Sequence, residues 1–236
     1  MDSITRQLQI GNLICDSVAV GSRHTCYLLV PIALDGRLVA MLAKRYGYNL
    51  VAVHGIDWDN DLTPWPAPGV FPGESDFRGE AMKFLTLLRE RVIPEIEQLP
   101  GMDASAGRTL IGVSLSGLFA LWAWMQGDDF AHIGSISGSF WYDGFAEWFC
   151  GEGIRPKAGN AYFSLGDKEG RDGDSPRFRT VQRHTVQVVD ALHRNGIQTV
   201  FEQTSGSHFA PFQPRLEKAL TALTGFLPKM NSNENG

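Results

Sequence analysis

The chain reads as an α/β protein, a mostly parallel central sheet with helices on both faces. Three observations carry that reading. Short apolar, β-branched runs alternate with helical periodicities along the chain. No internal repeat or low-complexity interior interrupts the alternation. The 236 residues are 43% hydrophobic, enough for one substantial core, so residues 1–230 are expected to form a single domain. Alternating βαβ units imply a largely parallel sheet, and such sheets bind ligands beyond the C-terminal ends of their strands.

Strands are expected at Thr25–Ile32, Asn49–Val53, Thr109–Val113, His132–Ile136, Ala161–Leu165 and Thr199–Phe201. The region before Asn49 looks short, with room for fewer strands than a full eight-stranded sheet would need. Between the strands, Phe77, Ala81, Phe84, Leu85, Leu88 and Val92 recur at three- and four-residue steps, and Pro94 is expected to end or kink that helix. Leu118–Met125 is a helix-like apolar stretch. Val181, Thr185, Val188 and Leu192 mark another helix, with Asn195-Gly196 as its stop. The last helix is expected from Pro214 to Leu227, and the polar tail Asn231–Gly236 is expected to be disordered. Two loops, His54–Asp76 and Ser137–Lys157, are long enough to be functional.

The most informative segment is Gly112-Val113-Ser114-Leu115-Ser116-Gly117, between an apolar run and a helix. A serine at the apex of a strand–turn–helix is a nucleophile elbow, in which small flanking residues let strand and helix pass closely. The helix N-terminus behind it points N–H groups at charge developing on a substrate. Ser116 stands where the strict G-x-S-x-G pattern has its second glycine. It reads as a tolerated small residue rather than a rival nucleophile.

A serine hydroxyl needs an imidazole to take its proton and a carboxylate to fix the imidazole tautomer. In an elbow-type sheet these follow in the order serine, acid, histidine. Of six histidines, His208 lies in the loop after the last strand, on the rim expected for Ser114, whereas His193 sits on a helix beside Arg194. After Ala161–Leu165 come Gly166-Asp167-Lys168-Glu169, with two carboxylates. The position three residues past the glycine favours Glu169 over Asp167, and Asp172 and Asp174 are weaker alternatives. For an oxyanion hole, one N–H is expected from Leu115 and a second from the loop after Asn49–Val53, at Ile56. His54 reads as a loop-shaping residue. Trp58, Trp65, Phe140, Trp141 and Trp148 fall in the two long rim loops and are candidates for an aromatic pocket, or for packing those loops onto the sheet.

Composition excludes several other classes. A net charge of −5 and a pI near 5.7 leave no electrostatic footprint for nucleic acid or an anionic membrane. The first residues lack a signal-peptide pattern, and no apolar run approaches a bilayer span. Cys15, Cys26 and Cys150 are odd in number and widely spaced, which argues against a disulfide framework or zinc site and for reduced thiols in the cytoplasm. No metal or cofactor is expected. The partners expected are a small-molecule ester and, at most, a second copy of the chain as a homodimer.

Several segments together resemble one family. They are Asp57-Trp58-Asp59-Asn60-Asp61-Leu62-Thr63-Pro64-Trp65, the elbow, Ser135-Ile136-Ser137-Gly138-Ser139-Phe140-Trp141, Ser164–Glu169 and Gly206-Ser207-His208-Phe209. In that order they resemble the esterase branch of the α/β-hydrolases, which includes enterochelin (siderophore) esterases, esterase D-like enzymes and feruloyl esterases. The resemblance implies an α/β-hydrolase with Ser114 as nucleophile, His208 as base and a carboxylate in the Gly166–Glu169 loop. It implies a serine esterase working through an acyl-enzyme. A thioesterase or acyltransferase would use the same residues, and a catalytically silent binding protein would keep only the fold. A tricatecholate siderophore is anionic and calls for basic residues in the rim loops, where the sequence offers only Arg78 and Arg155 to Lys157.

Overall fold

The computed structural model describes residues 4–171 and 175–226. The expected end of the last helix at Leu227, the tail Asn231–Gly236, and Asp172 and Asp174 lie outside the described residues. The strands are β1 (Ile4–Ile10), β2 (Leu13–Ala19), β3 (His24–Leu29), β4 (Asn49–His54), β5 (Gly107–Val113), β6 (His132–Ile136), β7 (Asn160–Gly166) and β8 (Gln198–Thr204). They form one eight-stranded sheet in the order β1-β2-β4-β3-β5-β6-β7-β8. Only the β1–β2 and β2–β4 pairs are antiparallel among these neighbours.

The six strands read from the sequence are all present, and the sheet is completed by two more. The N-terminal region is therefore not short of strands. Ile4–Ile10 and Leu13–Ala19 pair as a hairpin closed by Gly11 and Asn12, with Ile10 opposite Leu13. Gly11 takes φ 61°, the left-handed position that a two-residue hairpin loop demands. The dipeptide Gly-Asn between two alternating runs is the signal that marks it.

The inner strands are apolar on both faces because both faces are covered. Tyr27, Leu29, Val51, Val53, Leu110 and Phe163 join one core cluster, while their neighbours Leu28, Leu50, Ala52, Ile111 and Tyr162 join the other. Helices α1 (Gly36–Tyr46) and α8 (Phe212–Thr224) contribute to the second cluster, opposite the long helices of the first. The first cluster holds α3 (Ala81–Leu87), α4 (Ile93–Glu97), α5 (Leu115–Met125) and α7 (Val181–Arg194). Every residue of α5 is buried, which matches its apolar character all round. Trp122 and Trp124 are core residues of that helix. Two one-turn helices, α2 (Trp58–Asp61) and α6 (Phe145–Trp148), shape the rim loops.

The helix expected over Phe77–Val92 differs in its start and in its continuation past Pro94. The Phe77–Val92 helix begins only at Ala81, because Phe77 forms a bridge with Ala67. Pro94 does not end it. A π-turn over Leu88–Val92 widens the helix just ahead of Pro94, which then sits in the first turn of α4, where a missing N–H costs no hydrogen bond.

Candidate active site

Strand β5 ends at Val113 and α5 starts at Leu115, so a single residue makes the turn. That residue, Ser114, is held at φ 58°, ψ −124°, a strained backbone for any side chain with a Cβ. The surroundings fix it. The Ser114 N–H donates to the Ile136 carbonyl at 3.0 Å, and its own carbonyl accepts from Gly117, Leu118 and Ser139. Ser116 is fully buried; its hydroxyl accepts from the Val113 N–H at 2.8 Å and lies 2.9 Å from the Leu29 and Val113 carbonyls. It has structural partners and no access to a substrate.

Ser114 Oγ lies 3.0 Å from His208 Nε2, and His208 Nδ1 lies 2.8 Å from Glu169 Oε2. The three residues come from three separate strand ends, β5, β7 and β8, on one rim of the sheet. Glu169 is 7% exposed, and its other oxygen, Oε1, accepts from the Gly166 N–H at 2.7 Å and from the Ser137 hydroxyl at 2.5 Å. Burial alone would raise its pKa. The hydrogen bonds from His208, Ser137 and Gly166 overcome that, and the carboxyl is held below the usual glutamate range. Asp167, the other carboxylate of the loop, instead accepts from the Gly206 N–H at 2.8 Å and braces the His208 loop. His193 is remote from these groups, against the Thr199 carbonyl at 3.1 Å. His54 contacts Asp16 at 3.1 Å across β4 and β2.

The lowered pKa sets an acid-stability prediction. A carboxyl that is more acidic folded than unfolded stabilises the fold at pH above its unfolded value, and that stability disappears as pH falls through the lowered folded value. Melting temperature should therefore drop as pH falls below the ordinary glutamate range. In Glu169→Gln that part of the slope should flatten. Equal slopes for the two proteins in thermal melts between neutral and acid pH would contradict it.

A cavity of about 690 Å³ opens over Ser114, lined also by Leu115, Glu169 and His208. Of the candidate pocket aromatics, Trp58 and Trp141 line it, whereas Phe140 and Trp148 belong to the core packing. Trp65 does not line it either: its indole N–H donates to the Asp143 carbonyl at 2.9 Å, and its ring packs on Tyr142, Phe145 and Trp148. It fastens one rim loop to the other. Four phenylalanines that the sequence did not assign to a pocket, Phe71, Phe77, Phe178 and Phe209, complete the aromatic wall. Phe209 is 93% exposed and stands edge-on to the His208 ring.

Leu115 precedes the first residues of α5 that bond within the helix, Gly117 and Leu118. Its N–H is thus one of the free donors of a helix start. Ile56, the second expected oxyanion donor, stands away from the elbow. In the sheet, β3 and not β4 lies beside β5, so the loop bordering the elbow is residues 30–35 after β3. Ile56 follows β4, one strand farther out, and lines a separate hollow of about 450 Å³ with Ile10, Leu13 and Arg91. In the bordering loop, the Val30 N–H already donates to the Val53 carbonyl at 3.0 Å, and Pro31 has no N–H.

Three further residues of the site carried no sequence assignment. Ser139 Oγ is 3.2 Å from Ser114 Oγ. Ser137 and Arg215 stand behind Glu169 and His208, with Arg215 Nη1 donating to Ser137 Oγ at 2.5 Å. Ser137 and Ser139 belong to the stretch Ser135–Trp141 noted above. A buried arginine on a surface helix leaves no comparable signal.

Two of the rim's basic residues are engaged elsewhere, and Arg155 is exposed outside the cavity lining. Arg78 pairs with Asp57 at 3.1 Å, while Lys157 bonds Gly127 and Asp128 past the far end of α5. Among the described residues lining the cavity there is no Lys or Arg, whereas Asp59, Glu74 and Asp76 line it. Burial, then the neighbouring Asp57 and Glu74, push the Asp59 carboxyl upward. No helix of the described residues is long and apolar enough to cross a membrane, and no cluster of three or more His, Cys, Asp or Glu among them is arranged to hold a metal.

The Bacillus subtilis (strain 168) protein YbbA, itself uncharacterized, is 33% identical over 146 residues, or 60% of this chain. That alignment spans 56% of YbbA, so the match covers only about half its length. Among solved structures, an IroE-like serine hydrolase from Shewanella oneidensis superposes with a TM-score of 0.72 at 16% identity, covering 95% of this chain and 80% of that one. Siderophore hydrolase EstA from Aspergillus nidulans gives 0.67 at 18% identity and 94% coverage of both chains. At such identities these two establish a shared α/β-hydrolase fold. The model of the Putative esterase family matches residues 47–223, three quarters of the chain. The chain belongs to that family.

Proposed function

We propose that the chain is a serine esterase whose chemistry runs through an acyl-enzyme on Ser114. The single observation that supports this most strongly is the continuous run of contacts from Ser114 Oγ to His208 Nε2 at 3.0 Å and from His208 Nδ1 to Glu169 Oε2 at 2.8 Å, facing the cavity. His208 Nε2 accepts the Ser114 proton as Oγ attacks the ester carbonyl. Negative charge then develops on the carbonyl oxygen, next to the Leu115 N–H at the open end of α5. The imidazolium is stabilised by the ionised Glu169 and returns its proton to the leaving alcohol. Water, deprotonated by His208, releases the acid and restores Ser114. A fluorophosphonate probe should label Ser114, identified by mass spectrometry of the modified peptide. Label found elsewhere, or none, would overturn the assignment.

The walls of the cavity support a reading of substrate charge. A siderophore hydrolase occurs among the structural relatives, and siderophores of the tricatecholate class are anionic. Here the lining carries Asp59, Glu74 and Asp76 beside aromatic rings and, among the described residues, no basic side chain. Carboxylates repel an anion, while aromatic faces and carboxylates attract a cation. We therefore favour a neutral or cationic ester. Comparing acetylthiocholine with a carboxylate-bearing thioester of similar size should give kcat/KM higher by about tenfold for the cation at low ionic strength, narrowing with salt. A preference for the anion would reverse this reading and favour the siderophore one.

A further inference from the structure

We infer that Arg215 on α8 is a positioning residue that sets which way the protons point in the Ser137–Glu169–His208 chain. Its side chain is 7% exposed and lies behind the site, out of reach of a substrate in the cavity. The guanidinium makes three hydrogen bonds. Nη1 donates to Ser137 Oγ at 2.5 Å, and Nη2 donates to the carbonyls of His208 and Ala210, each at 3.1 Å. Nη1 is also 3.7 Å from Glu169 Oε1.

The polarity follows from the chemistry of arginine, which donates hydrogen bonds and cannot accept them. Because Ser137 Oγ accepts from Arg215, its one proton is directed to its other partner, Glu169 Oε1, at 2.5 Å. Oε1 then accepts from both Ser137 and the Gly166 N–H. Oε2 remains for His208 Nδ1 at 2.8 Å, and only the Nδ1–H form of the neutral ring satisfies it. That tautomer leaves a lone pair on Nε2 towards Ser114. The same guanidinium holds the base loop through the His208 and Ala210 carbonyls and places a cation beside a buried carboxylate. Ser137 itself is kept at φ 50°, the unfavourable left-handed region, so its orientation is imposed by its neighbours. Arg215 thus ties the acid loop and the base loop to one rigid helix.

The catalytic consequence rests on the esterase reading, whereas the hydrogen-bond geometry does not, so two readouts separate them. In wild-type protein the His208 Nδ1 proton should give a far-downfield proton NMR resonance that disappears in His208→Ala. In Arg215→Met that resonance should move upfield or broaden away. On p-nitrophenyl acetate, kcat should fall by about 10²-fold with KM changed less than about threefold, since transition-state rather than substrate contacts are lost. Arg215→Ala should recover part of its kcat on adding guanidinium at concentrations that leave the wild type unaffected. Should the Arg215 variants fail to fold, Ser137→Ala removes a single hydroxyl and should shift the same resonance and lower kcat in the same direction. An unchanged resonance with wild-type kcat in Arg215→Met or Ser137→Ala would overturn the inference while leaving the esterase standing. A resonance that depends on Arg215 in a protein with no fluorophosphonate labelling would keep the inference and overturn the esterase.

Discussion

Replacing Ser114 with Ala should lower kcat on p-nitrophenyl acetate by about 10⁵-fold or more, leaving melting temperature unchanged or slightly raised. The rate falls that far because no other hydroxyl can take over. Ser116 is buried with structural partners, and Ser139, though 3.2 Å from Ser114 Oγ, has no imidazole in contact with it. Stability should be spared because the substitution keeps a Cβ in the same backbone conformation. His208→Ala should cost a comparable factor, and the double variant scarcely more, since nucleophile and base act as a unit. Residual activity within about a hundredfold of wild type in Ser114→Ala would exclude the acyl-enzyme on this residue. Multiplicative losses in the double variant would show that the two act in separate steps.

How far the site could be read from the chain depended on what kind of signal each part leaves. Strands β3 to β7 were legible because both their faces are covered, which makes them short apolar runs separated by helical repeats. The outer hairpin was not, because Arg6, Gln7 and Gln9 break β1 into a mostly polar string. Spatial order within the sheet is not legible either: β4 precedes the elbow in sequence, but β3 lies beside β5, so Ile56 sits one strand farther out than the loop at residues 30–35. Chain order carried the Ser114, Glu169 and His208 positions well, since each follows its own strand directly. It carried Trp65 poorly, because a tryptophan in a rim loop has the same sequence appearance whether it faces a ligand or its own core. Arg215 was invisible for the opposite reason. Between Pro214 and Glu217 it resembles a solvated helix face, and only tertiary contacts show that it is buried.

Gly112→Ala should be the most damaging single substitution in the elbow, destabilising the protein by about 4 kcal/mol or more. A Cβ built at Gly112 would lie 2.0 Å from the Ser116 carbonyl oxygen and 2.2 Å from its carbonyl carbon. Both are backbone atoms in the first turn of α5, so no side chain can rotate away to relieve the overlap. Either β5 or the start of α5 must shift. Gly117 on the other side limits that movement, since it packs α5 against β6 with Ser135 Oγ 2.8 Å and Gly138 Cα 3.1 Å from its own would-be Cβ. A helix pinned on both sides transmits the shift to Ser114, whose positive φ exists only because the strand and helix ends are fixed. Activity should therefore be lost even in molecules that remain folded, because a displacement of about 1 Å at the nucleophile costs about 10²-fold in rate. Chemical denaturation and fluorophosphonate labelling of the folded fraction measure the two effects separately. A Gly112→Ala protein with wild-type midpoint and labelling rate would mean that the turn is looser than its 2.0 Å approach implies. The small residue that matters most for making this serine reactive is then not the one at the apex but the one two positions before it.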